Sequence, residues 1–356
     1  QVVKGKPIVV MTLEGTHPTE PAIMLYSHTD VVPTFREHWT YDPYSAHKDE
    51  QGRIYARGAQ DMKCVGWQYV EALRRIFARG KKQFRRTIHI VWGPDEEIGG
   101  HDGMEKFVET SEFASLNIGF TLDEGLASET EVGGGHDMSS VSDSSFSFRL
   151  KVTFPGNPGH GSKFIEGTAV EKLHRFMTRA LEFRAEQKAI LDGDKSLTMG
   201  DVTTLNVTII QGGVQTNVIP EKIVAHVDVR VTPSMDFEAL DARFRGWCKE
   251  AGEGVELEYT QKCMTKSVTP TTRDDPWWAA IEDVFRDEGC AFTKEIFVGA
   301  TDSRYLRARG FKSIGFSPMN NIPSLLHDHN EYITESLFLR GVAIYEKLID
   351  RLADLA

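Results

Sequence analysis

Apolar residues fall along this chain in short blocks separated by stretches of a different spacing. Near-continuous apolar runs occupy about 7–13, 22–27, 87–92 and 117–122. Runs this short, without polar alternation, predict strands buried on both faces. Between them the apolar spacing changes to three and four, which predicts helices over about 63–79 and 102–110. The alternation resumes near residue 275, with a helix over 275–287, a strand near 293–298, a short helix over 302–308 and a strand over 312–316. A final helix over 333–353 puts Phe338, Val342, Tyr345, Ile349 and Leu352 on one stripe. Short buried strands punctuated by helices predict an α/β domain built on a mostly parallel sheet.

The middle of the chain has another order. It reads strand (FSFRLKVTF), helix (166–187), strand (203–211), strand (222–232), helix (236–251), strand (255–262). This βαββαβ order is ferredoxin-like. A discontinuous first domain, 1–143 with 264–356, is therefore expected to be interrupted by an α+β domain over 144–263. The stretch GGGHDMSSVSDSS (133–145) ahead of it is rich in Gly and Ser and reads as a flexible linker. The chain opens at Gln1 almost directly into a strand-like run, so a preceding N-terminal segment is expected.

At 356 residues there is material for two cores. The net charge of −11 argues against nucleic acid and anionic membranes as partners. No apolar run approaches the roughly 18 residues of a membrane span. Cys64, Cys248, Cys263 and Cys290 show no paired spacing, which predicts inert thiols in a reducing, cytoplasmic compartment.

Five polar clusters sit where predicted strands end: SHTD (27–30), GAQDMK (58–63), PDEEIGG (94–100), LDEG (122–125) and LLHDH (325–329). His28 closes a strand, and Asp30, two residues on, shares its face if the backbone stays extended. Asp30 can then fix the tautomer of a ligating imidazole. Asp61 precedes a helix, where an aspartate ordinarily caps. Glu96 and Glu97 cannot face the same way in extended backbone, so one can bind metal while its neighbour acts as a base. Asp123 and Glu124 repeat the theme, and His327 and His329 compete as the last ligand. Two imidazoles with several carboxylates, one of them bridging, suit a pair of zinc-like ions that activates water. The pattern is that of a metallohydrolase.

The strings HTDVVP, ARGAQDMKCV, PDEEIGGHDGM, LDEG, PGHGSKF, GGVQTNVIP, ATDSRYLR and LLHDHNEYI resemble a family of dinuclear-zinc hydrolases. It includes the aminoacylases, acetylornithine deacetylase, succinyl-diaminopimelate desuccinylase and related zinc carboxypeptidases. The resemblance runs from about residue 7 to the end and favours the aminoacylase branch. It implies a zinc-peptidase-like sheet with an inserted lid and dimerisation domain. It also implies two Zn2+ per chain, one held by His28 and Glu124 and one by Glu97 and His327. Asp61 and a water or hydroxide would bridge them. In that pattern Asp30 supports His28, and Glu96 is the general base. His160 stabilises the oxyanion across a homodimer, while Asn217, Arg230 and Thr301 contact substrate. The implied substrate is an N-acyl-L-amino acid. A dipeptidase or exopeptidase of the same chemistry, or a silent metal-binding homologue, shares the same motifs.

Overall fold

The computed structural model of this chain describes residues 2–125, 127, 137–144, 146–262, 267–297 and 299–356. These divide into two compact units. The first comprises Gln1–Asp143, Ser267–Glu295 and Thr301–Ala356, and the second Ser144–Lys266 with Ile296–Ala300.

In the first unit, β1 (Val9–Leu13), β2 (Ala22–His28), the short β3 (His47–Lys48) and β4 (Arg53–Tyr55) lead to α1 (Lys63–Ala78). Next come β5 (Ile88–Gly93), α2 (Met104–Phe107), α3 (Ser111–Ser115), β6 (Ile118–Asp123) and β7 (Asp137–Ser144). The chain then enters the second unit with β8 (Phe146–Pro155), β9 (Gly159–His160), α4 (Ala169–Gly193), β10 (Thr204–Gly212), β11 (Val218–Ile219), β12 (Lys222–Val231), α5 (Phe237–Ala251) and β13 (Glu256–Lys262). It ends with α6 (Pro276–Asp287), β14 (Cys290–Phe297), α7 (Ser303–Ala308), β15 (Lys312–Phe316), β16 (Tyr332–Thr334) and α8 (Glu335–Ala353).

The first unit's main sheet has the order β1-β5-β2-β6-β15-β7-β14. β5, β2, β6 and β15 run parallel to one another, and β1 pairs antiparallel to β5 at one edge. Every residue of β2 is buried, as expected of a strand covered on both faces. Cys64, Val65, Tyr69, Ala72, Leu73 and Ile76 of α1 and Val342, Tyr345, Ile349 and Leu352 of α8 fill the core against one face. α6 begins sharply because the Asp275 carboxylate accepts the Trp277 and Trp278 N–H groups and Pro276 needs no partner.

The second unit's sheet, β10-β12-β8-β13, is antiparallel throughout and has the ferredoxin-like order. β12 alternates strictly. Ile223, Ala225, Val227, Val229 and Val231 are buried, and the last four share a core with Phe176, Phe183, Phe244 and Trp247 from α4 and α5.

Three local expectations change. Residues 137–144, expected as linker, form β7, which pairs antiparallel with β15 (Gly315 with Ser142, Phe316 with Val141). Residues 133–136 and Ser145 lie outside the described residues. The helix expected over 166–187 starts at Ala169, where Thr168 and Glu171 form a capping box, and runs on to Gly193. The helix expected over 102–110 is two short helices instead. Thr110 caps the second through the Phe113 N–H.

Candidate metal centre

The parallel strands aim their C-terminal ends at one edge of the sheet, where α/β sheets build sites. β2 ends on His28, β5 leads to Glu96 and Glu97, and β6 ends one residue before Glu124. His28 is fully buried. Its Nδ1 lies 3.0 Å from the Asp30 carbonyl oxygen and 3.4 Å from the Asp30 carboxylate. The expected Asp30 contact is thus present, with the backbone oxygen as the nearer partner. The other nitrogen, Nε2, faces Asp61 Oδ1 at 3.1 Å and Glu124 Oε2 at 3.6 Å.

Asp61 does not cap α1, whose first turn follows Met62, and the Asp61–Met62 peptide is cis. Its second oxygen, Oδ2, faces His327 Nε2 at 3.2 Å, and Glu97 Oε2 approaches the same nitrogen at 3.0 Å. One carboxylate therefore presents a different oxygen to each of two imidazoles. His327 rather than His329 turns to this centre. The His329 ring stacks at a tilt on His38, 4.8 Å away. His327 holds φ +63, in the left-handed region that non-glycine residues adopt only under constraint.

Glu96–Ile98 form a 3-10 turn, not extended backbone. Successive side chains there diverge by about a third of a turn, so the two carboxylates still separate. The turn is pinned by Asp30, which accepts the Glu96 N–H at 3.1 Å and the Glu97 N–H at 3.0 Å. The Gly99 carbonyl accepts from Arg304 at 2.5 Å and Tyr305 at 2.6 Å. Gly100 has φ +64, and a Cβ there would stand 2.0 Å from Asp302 Oδ1, so only glycine fits. Asp302 is itself buried and accepts from the Tyr26 hydroxyl.

Charge decides what this cluster needs. Burial, together with the Glu124 carboxylate, pushes Glu96 up to about 10. Burial likewise pushes Glu124 up to about 8 and Asp302 to about 6. Burial works against a charged His28, but Asp30, Asp61 and Glu124 outweigh it and hold its pKa well above the ordinary range. A metal pair would replace those protons, leaving neutral imidazoles and ionised carboxylates. The donor set fits one. His28 and Glu124 offer ligand atoms within 4.8 Å of one another, with Glu96 beside them, as do His28, Asp61 and Glu97, and Glu97 Oε1 is buried without a partner.

The sequence pattern of peptidase family M20/M25/M40 matches residues 24–351. The chain belongs to this family. Aminoacylase-1 of Sus scrofa is 50% identical over 354 residues, 99% of this chain and 85% of that protein. Among solved structures, an M20 family metallo-carboxypeptidase from Sulfolobus solfataricus has a TM-score of 0.73 at 16% identity, covering 98% of this chain and 89% of that one. The Bacillus subtilis YXEP protein, described as a dinuclear metal binding peptidase from the M20 family, has a TM-score of 0.66 at 14% identity, covering 98% of this chain and 86% of that one. At these identities the two structures show a shared M20 fold.

Of the other candidates, His160, Asn217 and Arg230 belong to the second unit and Thr301 to the first. His160 is exposed in the second unit, with Nδ1 2.8 Å from the Ser162 hydroxyl. It pairs with Val218, and the adjacent Gly161 N–H donates to the Asn217 carbonyl at 2.8 Å, so His160 and Asn217 share one small β-ribbon. Arg230 donates to Asp228 at 2.7 Å near the far end of β12, eight residues from Lys222. The structure therefore brings His160 to Asn217 but not Arg230 to either. Thr301, expected at the substrate, is buried, and its hydroxyl accepts the Ser303 N–H at 3.3 Å.

Sequence reasoning missed Asp302, Arg304 and Tyr305 as the wall behind the Glu96 turn. It also missed what Glu331 does: its buried carboxylate accepts the N–H groups of Gly58, Gln60 and Asp61. No local pattern says which loop a buried acid serves.

Proposed function

We propose that this chain hydrolyses N-acyl-L-amino acids to a carboxylate and a free L-amino acid. The observation that carries the reading is Asp61, with Oδ1 turned to His28 and Oδ2 to His327. The 50% identity to Aminoacylase-1 selects the acylated amino acid as substrate class. His28 and Glu124 would hold one zinc ion and Glu97 and His327 a second, with Asp61 offering an oxygen toward each. Bound there, such ions would supply Lewis acidity that polarises an acyl carbonyl and acidifies water.

The chain's own groups do the rest. Glu96, buried beside Glu124, takes the proton from the attacking water and returns it to the leaving nitrogen. Asp30 holds the backbone of Glu96 and Glu97 and the ring of His28 in register. We assign His160, acting on a partner subunit's site, to the oxyanion. Asn217 and Arg230 are assigned to the substrate's amino-acid end, since a guanidinium suits a carboxylate. Thr301 shapes the turn beside Asp302.

We further infer that the inserted domain, residues 144–263, serves as lid and dimerisation domain. β10 is an edge strand, and its Ile209 and Ile210 are exposed, which suits pairing with a second copy. A cytoplasmic location accords with Cys64 and Cys248, whose thiols are buried and not in disulfides; Cys290 is buried too, and Cys263 lies outside the described residues. Among the described residues no helix is long and apolar enough to cross a membrane.

The test is release of free amino acid from N-acetyl-L-methionine, with zinc supplied, beside a plain dipeptide. Hydrolysis of the acetylated substrate well above the dipeptide is expected. Preference for the dipeptide would move the chain to the peptidases of its family.

A further inference from the structure

The loops that carry Asp61 and His327 are bolted to each other by three buried side chains, Arg57, Gln60 and Glu331. Glu331 Oε2 accepts from Arg57 Nη1 at 2.8 Å and from the Gly58 N–H at 3.1 Å. Its Oε1 accepts the Gln60 N–H at 2.6 Å and the Asp61 N–H at 3.1 Å. Arg57 also donates through Nη2 to the carbonyl of Asp328, the residue after His327, at 2.9 Å. The Gln60 side chain spans the same gap. Its Nε2 donates to the carbonyls of Pro323 at 3.1 Å and Tyr332 at 2.9 Å, and its Oε1 accepts the Leu325 N–H at 2.9 Å.

The two candidate ion positions are held very differently. His28 and Glu124 sit at the ends of β2 and β6, inside the sheet framework, with His28 fully buried. His327 is on a loop, at a left-handed φ, with 57% of its side chain exposed. Packing around its own ring therefore does little to locate it, and the hydrogen bonds on either side of it in the chain take that role. Buried, charge-assisted bonds are stiff enough to do so.

We propose that Arg57, Gln60 and Glu331 are positioning residues that set the separation of Asp61 from His327, and so the affinity of the ion held by Glu97 and His327. The proposal rests on the metal-pair reading above. Groups that orient ligands without touching the ion typically govern about 10–100-fold in metal affinity. A glutamine at 331 cannot replace the carboxylate, because its amide nitrogen would face backbone N–H donors.

The experiment is titration of zinc into metal-free wild type, Glu331→Gln and Gln60→Leu against a competing chelator, with thermal unfolding of each apo-protein as the fold control. Gln60→Leu leaves the Glu331 cradle intact and carries the test if Glu331→Gln does not fold. We expect wild type to take up two zincs, and the variants to keep the first equivalent at wild-type affinity while the second weakens about 10–100-fold. Equal weakening of both equivalents, or none, overturns the proposal. A wild type that binds fewer than two zincs overturns the pair itself, a failure visible before any variant is measured.

Discussion

Glu96 and Glu97 are neighbours in the chain with opposite assignments. Glu97 reaches His327 at 3.0 Å, whereas Glu96 is pushed up to about 10 by burial and the nearby Glu124 carboxylate. A ligand set that leaves Glu96 uncoordinated predicts that Glu96→Ala keeps its zinc while turnover falls by about 10²–10⁴. Metal analysis beside a kcat measurement checks this, and substantial turnover with zinc in place would remove Glu96 as the base. Most of the centre is legible in the sequence at this scale, because His28, Asp61, Glu97, Glu124 and His327 stand in short polar strings at element ends. What is not legible is orientation. Residues alone leave His327 and His329 equal, and only the fold shows His329 stacked on His38. Asp302 and Glu331 escape for a related reason. Their partners, Tyr26 and the 57–61 loop, are more than 250 residues away in the chain.

Elements built on local periodicity are the most predictable part of the fold. β2, α1, α6 and α8 follow from apolar spacing and capping residues. β7 does not, since a Gly- and Ser-rich segment reads as linker and becomes a strand through pairing with β15. In the second unit, α5 is tied to β13 through Asp241. That carboxylate accepts from Arg245 at 2.8 Å, Lys262 at 2.7 Å and Tyr259 at 2.5 Å. Burial raises its pKa somewhat, but these three donors outweigh it and hold it well below the usual carboxylate range. A depressed folded-state value stabilises the fold above the unfolded pKa of roughly 4, and that contribution fades as pH falls below it. Asp241→Asn should therefore lower stability by about 1–2 kcal/mol at pH 7. The gap to wild type should close toward pH 2–3. Urea unfolding at both pH values reads this directly; a gap that is constant or wider in acid would contradict it.

Across the whole molecule, a sheet edge collects the ion-binding groups in one unit, while His160, Asn217 and Arg230 lie in the other. The proposed division of labour makes a single chain incomplete. Mixing His160→Ala subunits with Glu96→Ala subunits should therefore restore part of the activity that each lacks, through hybrid dimers carrying one intact site. A mixture as inactive as its components would confine each site to one chain. The central claim is the metal pair, and its most direct measurement is stepwise return of zinc to metal-free protein while following amino-acid release from N-acetyl-L-methionine. The account predicts no turnover without zinc and full turnover only as the second equivalent is taken up. Turnover that survives complete removal of metal would contradict it.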